Sequence, residues 1–258
     1  MAGMLQGGFK RGLGRAGRSV LDFVYPPLCV ACRSLVAEPG SLCAECWGKI
    51  GFLDGPACTC CGLPFDLDPG PGTRCAGCLT DPPTFDSARA VMRYDADSRG
   101  PILALKHADR LDLVPGFARW LDRAGRDLLD EIDVIVAVPL HPSRLWWRRY
   151  NQSGELARGL GRLCRKPFLP QALARTRATP SQGEMPSAKA RKRNMRGAFR
   201  VPPAQGREVE GRSVLLVDDV LTTGATVDAC ARVLKRAGAA KVHVLALARV
   251  VRPLTSSI

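Results

Sequence analysis

No window of the 258-residue chain comes near the ~18 uncharged apolar residues that a bilayer-spanning helix requires, so membrane insertion is not expected. The first nineteen residues are basic but interrupted by six glycines, and no apolar stretch or small-residue cleavage site follows them. That argues against a secretory signal and for a cytoplasmic location. The chain also lacks G-x4-G-K-[ST], which makes a nucleotide hydrolase improbable. Its single literal G-x-G-x-x-G, GLGRAG at 12 to 17, follows no strand pattern and sits in the polar basic tail, so it is set aside. Histidine is scarce: His107, His141 and His243 all lie outside the cysteine-rich region.

What is present is globular, with 46% hydrophobic and 24% charged residues in a length that suits one large domain or two ordinary ones. The formal charge is +14, and +13 of it falls within residues 143 to 200. A field that concentrated suits polyanions, either nucleic acid or phosphorylated small molecules. Composition divides the chain into a basic Gly-rich segment (1 to 24), a cysteine module (25 to 83) and an α/β part (84 to 258). In the α/β part, strands are expected at 87 to 94, 132 to 140, 213 to 218 and 241 to 249. Helices are expected near 98 to 107, 111 to 129, 152 to 164 and 225 to 237. That alternation predicts a parallel sheet with helices on both faces.

Nine of the eleven cysteines lie between residues 29 and 78, and eight of them form C-x2-C pairs: Cys29/Cys32, Cys43/Cys46, Cys58/Cys61 and Cys75/Cys78. A chain this long with no secretory signal points to metal rather than disulfides. Each C-x2-C turn sets two sulfurs on one side of a loop, and two such turns make a tetrahedral Zn²⁺ site. Two structural zinc ions are therefore expected, paired either sequentially, which is simpler, or in cross-braced fashion. Cys60 interrupts one pair and reads as a spare thiol that can in principle replace a neighbour. Cys164 and Cys230 read as small apolar residues of helices.

The stretch VLLVDDVLTTGATVDACARVL (214 to 234) carries the chemistry. An apolar strand ends in Asp218 and Asp219, and a Thr/Gly loop then runs into a helix. Gly224 permits close backbone approach, while loop N–H groups, Thr hydroxyls and the helix dipole favour an anion. The aspartates then face sugar hydroxyls or a Mg²⁺-coordinated group beside the phosphate.

DDVLTTGAT (218 to 226) resembles the phosphoribosyl pyrophosphate motif of type I phosphoribosyltransferases. From Cys29 to Arg249 the chain resembles the ComF family, competence-associated proteins with an N-terminal double zinc ribbon and a phosphoribosyltransferase domain. Two further segments carry this narrower likeness. VPLHPSRLWWRRYNQ (138 to 152) is similar to the family's R-G-F-N-Q signature, with Arg148, Asn151 and Gln152 in place and Arg149 where Gly is usual. The segment from Gln182 to Phe199 matches Q…R..N..GAF through Gln182, Arg193, Asn194, Gly197, Ala198 and Phe199.

The resemblance implies that Asp218 and Asp219 bind ribose hydroxyls and that Thr222, Thr223, Gly224, Ala225 and Thr226 hold the 5′-phosphate. It implies that Leu140, His141, Pro142, Ser143 and Arg144 receive pyrophosphate, with Mg²⁺ as cofactor. Residues 187 to 200 become a loop that closes over pyrophosphate, with a solvated basic face or a nucleic-acid surface as the competing readings. Residues 84 to 131 are expected to supply the hood over an acceptor. His141 suits a pyrophosphate donor or a turn-closing residue equally well. One of Trp146 and Trp147 is expected in the core, the other beside Arg148, Arg149 and Tyr150 on a single-strand-binding surface.

Three functions follow: a Mg²⁺-dependent phosphoribosyltransferase of unknown acceptor, a non-catalytic nucleotide sensor that binds single-stranded DNA, and an adaptor for a DNA-uptake motor or helicase. An intact acid pair and TTGAT loop weigh against the third.

Overall fold

Three apolar runs of the α/β half, 134 to 138, 214 to 217 and 242 to 248, are buried on both faces, as parallel strands covered by helices demand. The computed structural model describes residues 26 to 107, 110 to 178 and 193 to 251. In chain order the elements are α1 (Ala44–Lys49), α2 (Ala76–Thr80), β1 (Ser87–Arg93), α3 (Ala96–His107), α4 (Val114–Ala124), α5 (Arg126–Leu129), β2 (Val134–Ala137), α6 (Pro142–Arg148), α7 (Gln152–Cys164), β3 (Ala174–Arg175), β4 (Phe199–Arg200), α8 (Gly206–Val209), β5 (Ser213–Leu221), α9 (Ala225–Arg236) and β6 (Lys241–Arg249).

The main sheet runs β1-β6-β5-β2 with every neighbour parallel. Alternation along β5 sorts the core. Val214 and Leu216 join α9 and Phe199 on one face, while Leu215 and Val217 join Phe117 and Leu121 of α4 and Leu156 and Leu160 of α7 on the other. Helices thus cover both faces, as the sequence pattern predicts.

Both sheet edges are occupied. Along β1, Phe52 bridges antiparallel to Met92, with Leu53 N–H on the Val91 carbonyl (2.9 Å) and Arg93 N–H on the Gly51 carbonyl (2.8 Å). Along β2, Phe168 bridges to Ile135, which donates to the Pro167 carbonyl (2.8 Å) and accepts from Leu169 N–H (2.9 Å).

The first half of the cysteine module docks on α4 by backbone approach. A Cβ built on Gly116 would lie 2.0 Å from the Gly40 carbonyl oxygen, so only glycine fits there. Beside this contact Trp47, Phe52, Phe117 and Trp120 form a cluster with ring centroids 4.5 to 6.0 Å apart. Such aromatic pairs add to burial and tie the module to the sheet.

Several expected boundaries move. The helix expected at 111 to 129 is a 3-10 turn (Leu111–Leu113) followed by α4 and α5, broken at Gly125. A Cβ on Gly125 would meet Leu245 at 2.7 Å, so this break lets the chain pass close over β6. Of the apolar run 132 to 140 only Val134–Ala137 is strand. Strand β5 continues past the expected end at 218 to Leu221, so Asp218 and Asp219 both lie inside its carboxyl-terminal part. Part of the expected hood, 87 to 93, is strand β1 of the main sheet. The short antiparallel pair β3-β4 was not expected.

Candidate functional site

The sulfurs of Cys29, Cys32, Cys43 and Cys46 lie within 4.8 Å of one another, and so do those of Cys58, Cys61, Cys75 and Cys78. Pairing is therefore sequential. Separations of 3.6 Å (Cys32 to Cys43) and 3.7 Å (Cys61 to Cys75) match the edge of a tetrahedron with ~2.3 Å Zn–S bonds, and all eleven cysteines are free of disulfides. The turns that place the sulfurs also aim N–H groups at them: Cys43 N–H reaches Cys29 Sγ (3.3 Å), and Cys75 N–H reaches Cys58 Sγ (3.2 Å). Burial pushes the Cys58 thiol up, but the N–H groups of Cys61, Cys75 and Cys60 outweigh it and hold it at about 6. Cys78 moves the other way, raised by burial and by hydrogen bonding and charge from Cys61. Four sulfurs so close cannot all ionise without a cation among them, and this donor set suits zinc. Cys60 is buried but belongs to neither set, as a spare thiol should. Cys230 is fully buried within α9, whereas Cys164 is only half-buried.

The second site forms at the carboxyl end of β5. Asp218 is 9% exposed; Ser153 donates its hydroxyl to Oδ1 (3.1 Å), and Asp219 N–H reaches the same oxygen (2.9 Å). Burial, then the neighbouring Asp219 charge, lift the Asp218 carboxyl to about 7 despite those donors and Lys106. Asp219 is paired with Lys106, Nζ to Oδ2 at 3.0 Å, with both side chains mostly sheltered.

Lys106 and Ser153 are the residues in contact with the acid pair that sequence reasoning missed. Their placement explains the signature around residue 150. Tyr150 donates its hydroxyl to the Leu105 carbonyl, Gln152 Nε2 donates to the Lys106 carbonyl (3.3 Å), and Arg148 donates to Gln152 Oε1 (3.4 Å). Asn151 Nδ2 donates to the Val138 carbonyl (3.0 Å) just beyond β2. The R-R-Y-N-Q run thus clamps the start of α7 to the last turn of α3 and to β2, delivering Ser153 and Lys106 to the two aspartates. No local pattern links Lys106 to Asp219; the clamp itself is the signal that could have found it.

Loop 222 to 224 follows directly and caps α9 through Gly224, whose φ of +77° is the left-handed region that favours glycine. Thr223 is exposed and Thr222 half-buried, so both can face a ligand. Thr226 turns the other way, donating its hydroxyl to Met195 Sδ (3.7 Å). On the loop after β2, His141 closes a turn: its Nδ1 accepts from Ser143 N–H (3.3 Å) and lies 2.7 Å from Ser143 Oγ, capping α6 ahead of Pro142 and Arg144. Leu140 is half-buried at the base of that turn.

The tryptophans depart from expectation in one respect, since one of them was expected in the core. Trp146 and Trp147 are 80% and 81% exposed, edge to face with centroids 5.9 Å apart, so neither packs in the core. The cause is the short helix α6, which buries no residue. Arg149 ends α6 at φ +62°, a conformation that explains why Gly suits this position. In the second signature segment, the Asn194 carbonyl accepts from Arg177 (2.6 Å), and Ala198 and Phe199 are buried beneath α9, while Arg193 is exposed. Gln182, Lys189, Arg191 and Lys192 lie outside the described residues.

A zinc-ribbon pair joined to a parallel sheet with an acid pair and a phosphate-type loop defines the class, and comparison with known proteins agrees. Residues 20 to 79 match a double zinc ribbon domain and residues 153 to 253 a phosphoribosyl transferase domain. The chain is 36% identical over 233 residues to the DNA utilization protein YhgH of Escherichia coli (strain K12), covering 87% of this chain and 97% of that one. It is 31% identical over 227 residues to competence protein F of Haemophilus influenzae, covering 86% and 96%. A 37-residue stretch, 14% of this chain and 20% of the other, is 57% identical to adenine phosphoribosyltransferase of Mycobacterium marinum. The chain belongs to the ComF family.

Proposed function

We propose that the protein binds phosphoribosyl pyrophosphate, or a nucleotide, together with Mg²⁺, and that it serves DNA utilization as its relatives' names describe. The observation that carries this reading is the convergence of Asp218, Asp219, Ser153 and Lys106 at the end of β5, with loop 222 to 226 opening from the same strand. Ligands of open α/β sheets bind at such strand ends. Asp219 and Asp218 take the ribose hydroxyls, Thr222 to Thr226 the 5′-phosphate, and the turn from Leu140 to Arg144 the pyrophosphate. Lys106 keeps the acid pair from presenting two bare negative charges to a polyanionic ligand. Mg²⁺ would neutralise the charge of departing pyrophosphate, and the chain's own share in phosphoribosyl transfer is positioning and exclusion of competing geometries.

Titration of purified protein with phosphoribosyl pyrophosphate and Mg²⁺ tests this. Asp219→Ala removes a charged partner of the sugar, an interaction worth on the order of 1.5–3 kcal/mol, so affinity should fall about ten-fold or more. Unchanged affinity would move the site elsewhere. Pyrophosphate release on addition of candidate bases then separates an enzyme from a sensor.

A second reading, single-stranded DNA binding, is favoured by the exposed pair Trp146 and Trp147 beside Arg144, Arg148 and Arg149. Stacking on such a pair adds on the order of 1–3 kcal/mol per base. The logarithm of affinity should fall with the logarithm of salt at about −0.7 per phosphate contact. Absence of binding at ~50 mM salt, where this attraction is strong, would leave the basic field to the small ligand alone.

A further inference from the structure

Between the second ribbon and the sheet lies a cleft of about 1110 Å³, ample for a nucleoside. Its ribbon wall includes Leu63, Phe65 and Arg74, and its opposite wall includes Phe85, Leu221 and the loop residues Thr223, Gly224 and Ala225. Asp218 and Asp219 are not among its lining residues. By that lining the phosphate-type loop borders the cleft, while the acid pair of the same strand stands outside it. A phosphate monoester on the loop reaches one of the two only. A phosphodiester has a substituent for each.

The charges along the cleft follow the same line. Arg93, Arg249 and Leu221 form one register row across β1, β6 and β5, at their carboxyl ends. Strands lie about 4.8 Å apart, so this row leads from the loop to the sheet edge in two such steps, with a guanidinium at each. Both arginines line the cleft. Arg249 donates one Nη to the Cys61 carbonyl (2.6 Å) and the other to Cys61 Sγ (3.7 Å), and its buried Nε has no partner among the described residues. Of the acidic residues on the walls, Asp228 is already matched by Arg232 (2.6 Å) and Thr84 N–H (2.6 Å), while Asp66 and Asp81 stand exposed on the ribbon side. Apolar walls with cations along one edge suit an unstacked base on a phosphate backbone.

We propose that this cleft is a subsite for the penultimate nucleoside of a single strand whose 3′-terminal nucleotide occupies the acid pair. The terminal sugar offers its free hydroxyl to Asp218 and Asp219, its 5′-phosphodiester sits on loop 222 to 226, and the preceding nucleoside enters the cleft toward Arg249 and Arg93. The inference rests on the reading of that loop as a phosphate site. A duplex end is excluded because the penultimate base must leave its stack.

Calorimetric titration of the full-length, zinc-loaded protein tests it with UMP, UpU, the 3′-phosphorylated UpUp, and the deoxy pair TMP and TpT. UpU should bind about ten-fold or more tightly than UMP, and UpUp should lose that gain because no free 3′-hydroxyl reaches the aspartates. A gain in TpT over TMP extends the site to DNA, and a gain confined to UpU assigns it to RNA; either supports the subsite. A 5′-phosphate on the outer nucleoside, as in pUpU, should tighten binding further, and Arg93→Gln, at the exposed strand end toward which that phosphate runs, should remove this increment and lower the salt slope by about 0.7 while leaving UMP affinity unchanged. Equal affinities of monophosphate and dinucleotide in both series overturn the subsite alone. Tight binding of UpUp overturns recognition of a 3′ end. Failure of wild-type protein to bind UMP or phosphoribosyl pyrophosphate at all overturns the loop reading on which the subsite rests.

Discussion

Around the second ribbon the buried apolar cluster consists of Cys58, Cys60 and Cys78, whereas the sheet buries large clusters on each of its faces, with Phe117, Leu215 and Leu160 wholly enclosed. The second ribbon thus draws its folding free energy from thiolate ligation, to which the first adds Val30 and Ile50 in the sheet's core, while the sheet draws its from hydrophobic burial at about 25 cal/mol per Å² of apolar surface. Two kinds of cohesion in one chain make the halves separately breakable.

Metal removal should break the comparison most sharply. Structural zinc sites contribute on the order of 10–16 kcal/mol of apparent binding free energy, so chelation, or Cys29→Ser for the first ribbon, should unfold the ribbon while the sheet keeps its secondary structure. Metal analysis should give two zinc ions per chain, and far-ultraviolet circular dichroism should retain the α/β signal after chelation. A stoichiometry near zero in folded protein would refute the assignment.

The junction comes next. Gly116→Ala drives a Cβ into the Gly40 carbonyl, an overpacking that costs about 1–3 kcal/mol or more, and should lower the melting midpoint while leaving zinc content at two.

Inside the sheet, Asp218→Asn sharpens the contrast between stability and function. Burial holds the folded carboxyl at about 7, against about 4 for an ordinary aspartate, so between these values the unfolded chain has lost a proton that the native one keeps. Native stability therefore falls as pH rises from about 4 through about 7. The Asn variant lacks that decline, so its stability advantage over the wild type should grow across the same window, measured by urea unfolding at stepped pH. Its affinity for the sugar phosphate should fall. A pH-independent difference would mean that Asp218 is not held neutral.

The smallest effect belongs to Arg149. Relieving its left-handed backbone with Arg149→Gly should stabilise by up to about 1 kcal/mol, visible as a small rise in the melting midpoint.

Legibility in the sequence followed the same divide. Cysteine spacing is a local constraint, so the two ligand sets were readable, and only the choice of partners needed coordinates. Strands β1 and β6 and helices α7 and α9 were readable because continuous apolar runs and i, i+4 patterns report burial directly. That Trp146 and Trp147 both face solvent is not legible, because large apolar side chains ordinarily mark a core, and nothing in seven residues of helix says that its apolar face meets solvent. Lys106 is invisible in the sequence because it lies on helix α3 and its partner on strand β5, and the clamp by Tyr150 and Gln152 holds that helix end beside α7. Gly125 interrupts the helix without a proline, at a point where its backbone passes close over Leu245.

The strip of chain at residues 51 to 53 has one more consequence. It closes the open flank of β1, and it does so as the tether between the two metal-held ribbons. While the ribbons are folded, the sheet presents no bare row of N–H and C=O groups on that side. Metal starvation loosens the tether and bares a seven-residue strand with the sequence SARAVMR, a ready template for pairing with another copy. The failure mode of the zinc-depleted protein is then expected to be clumping and clearance by quality control rather than a quiet loss of ligand binding.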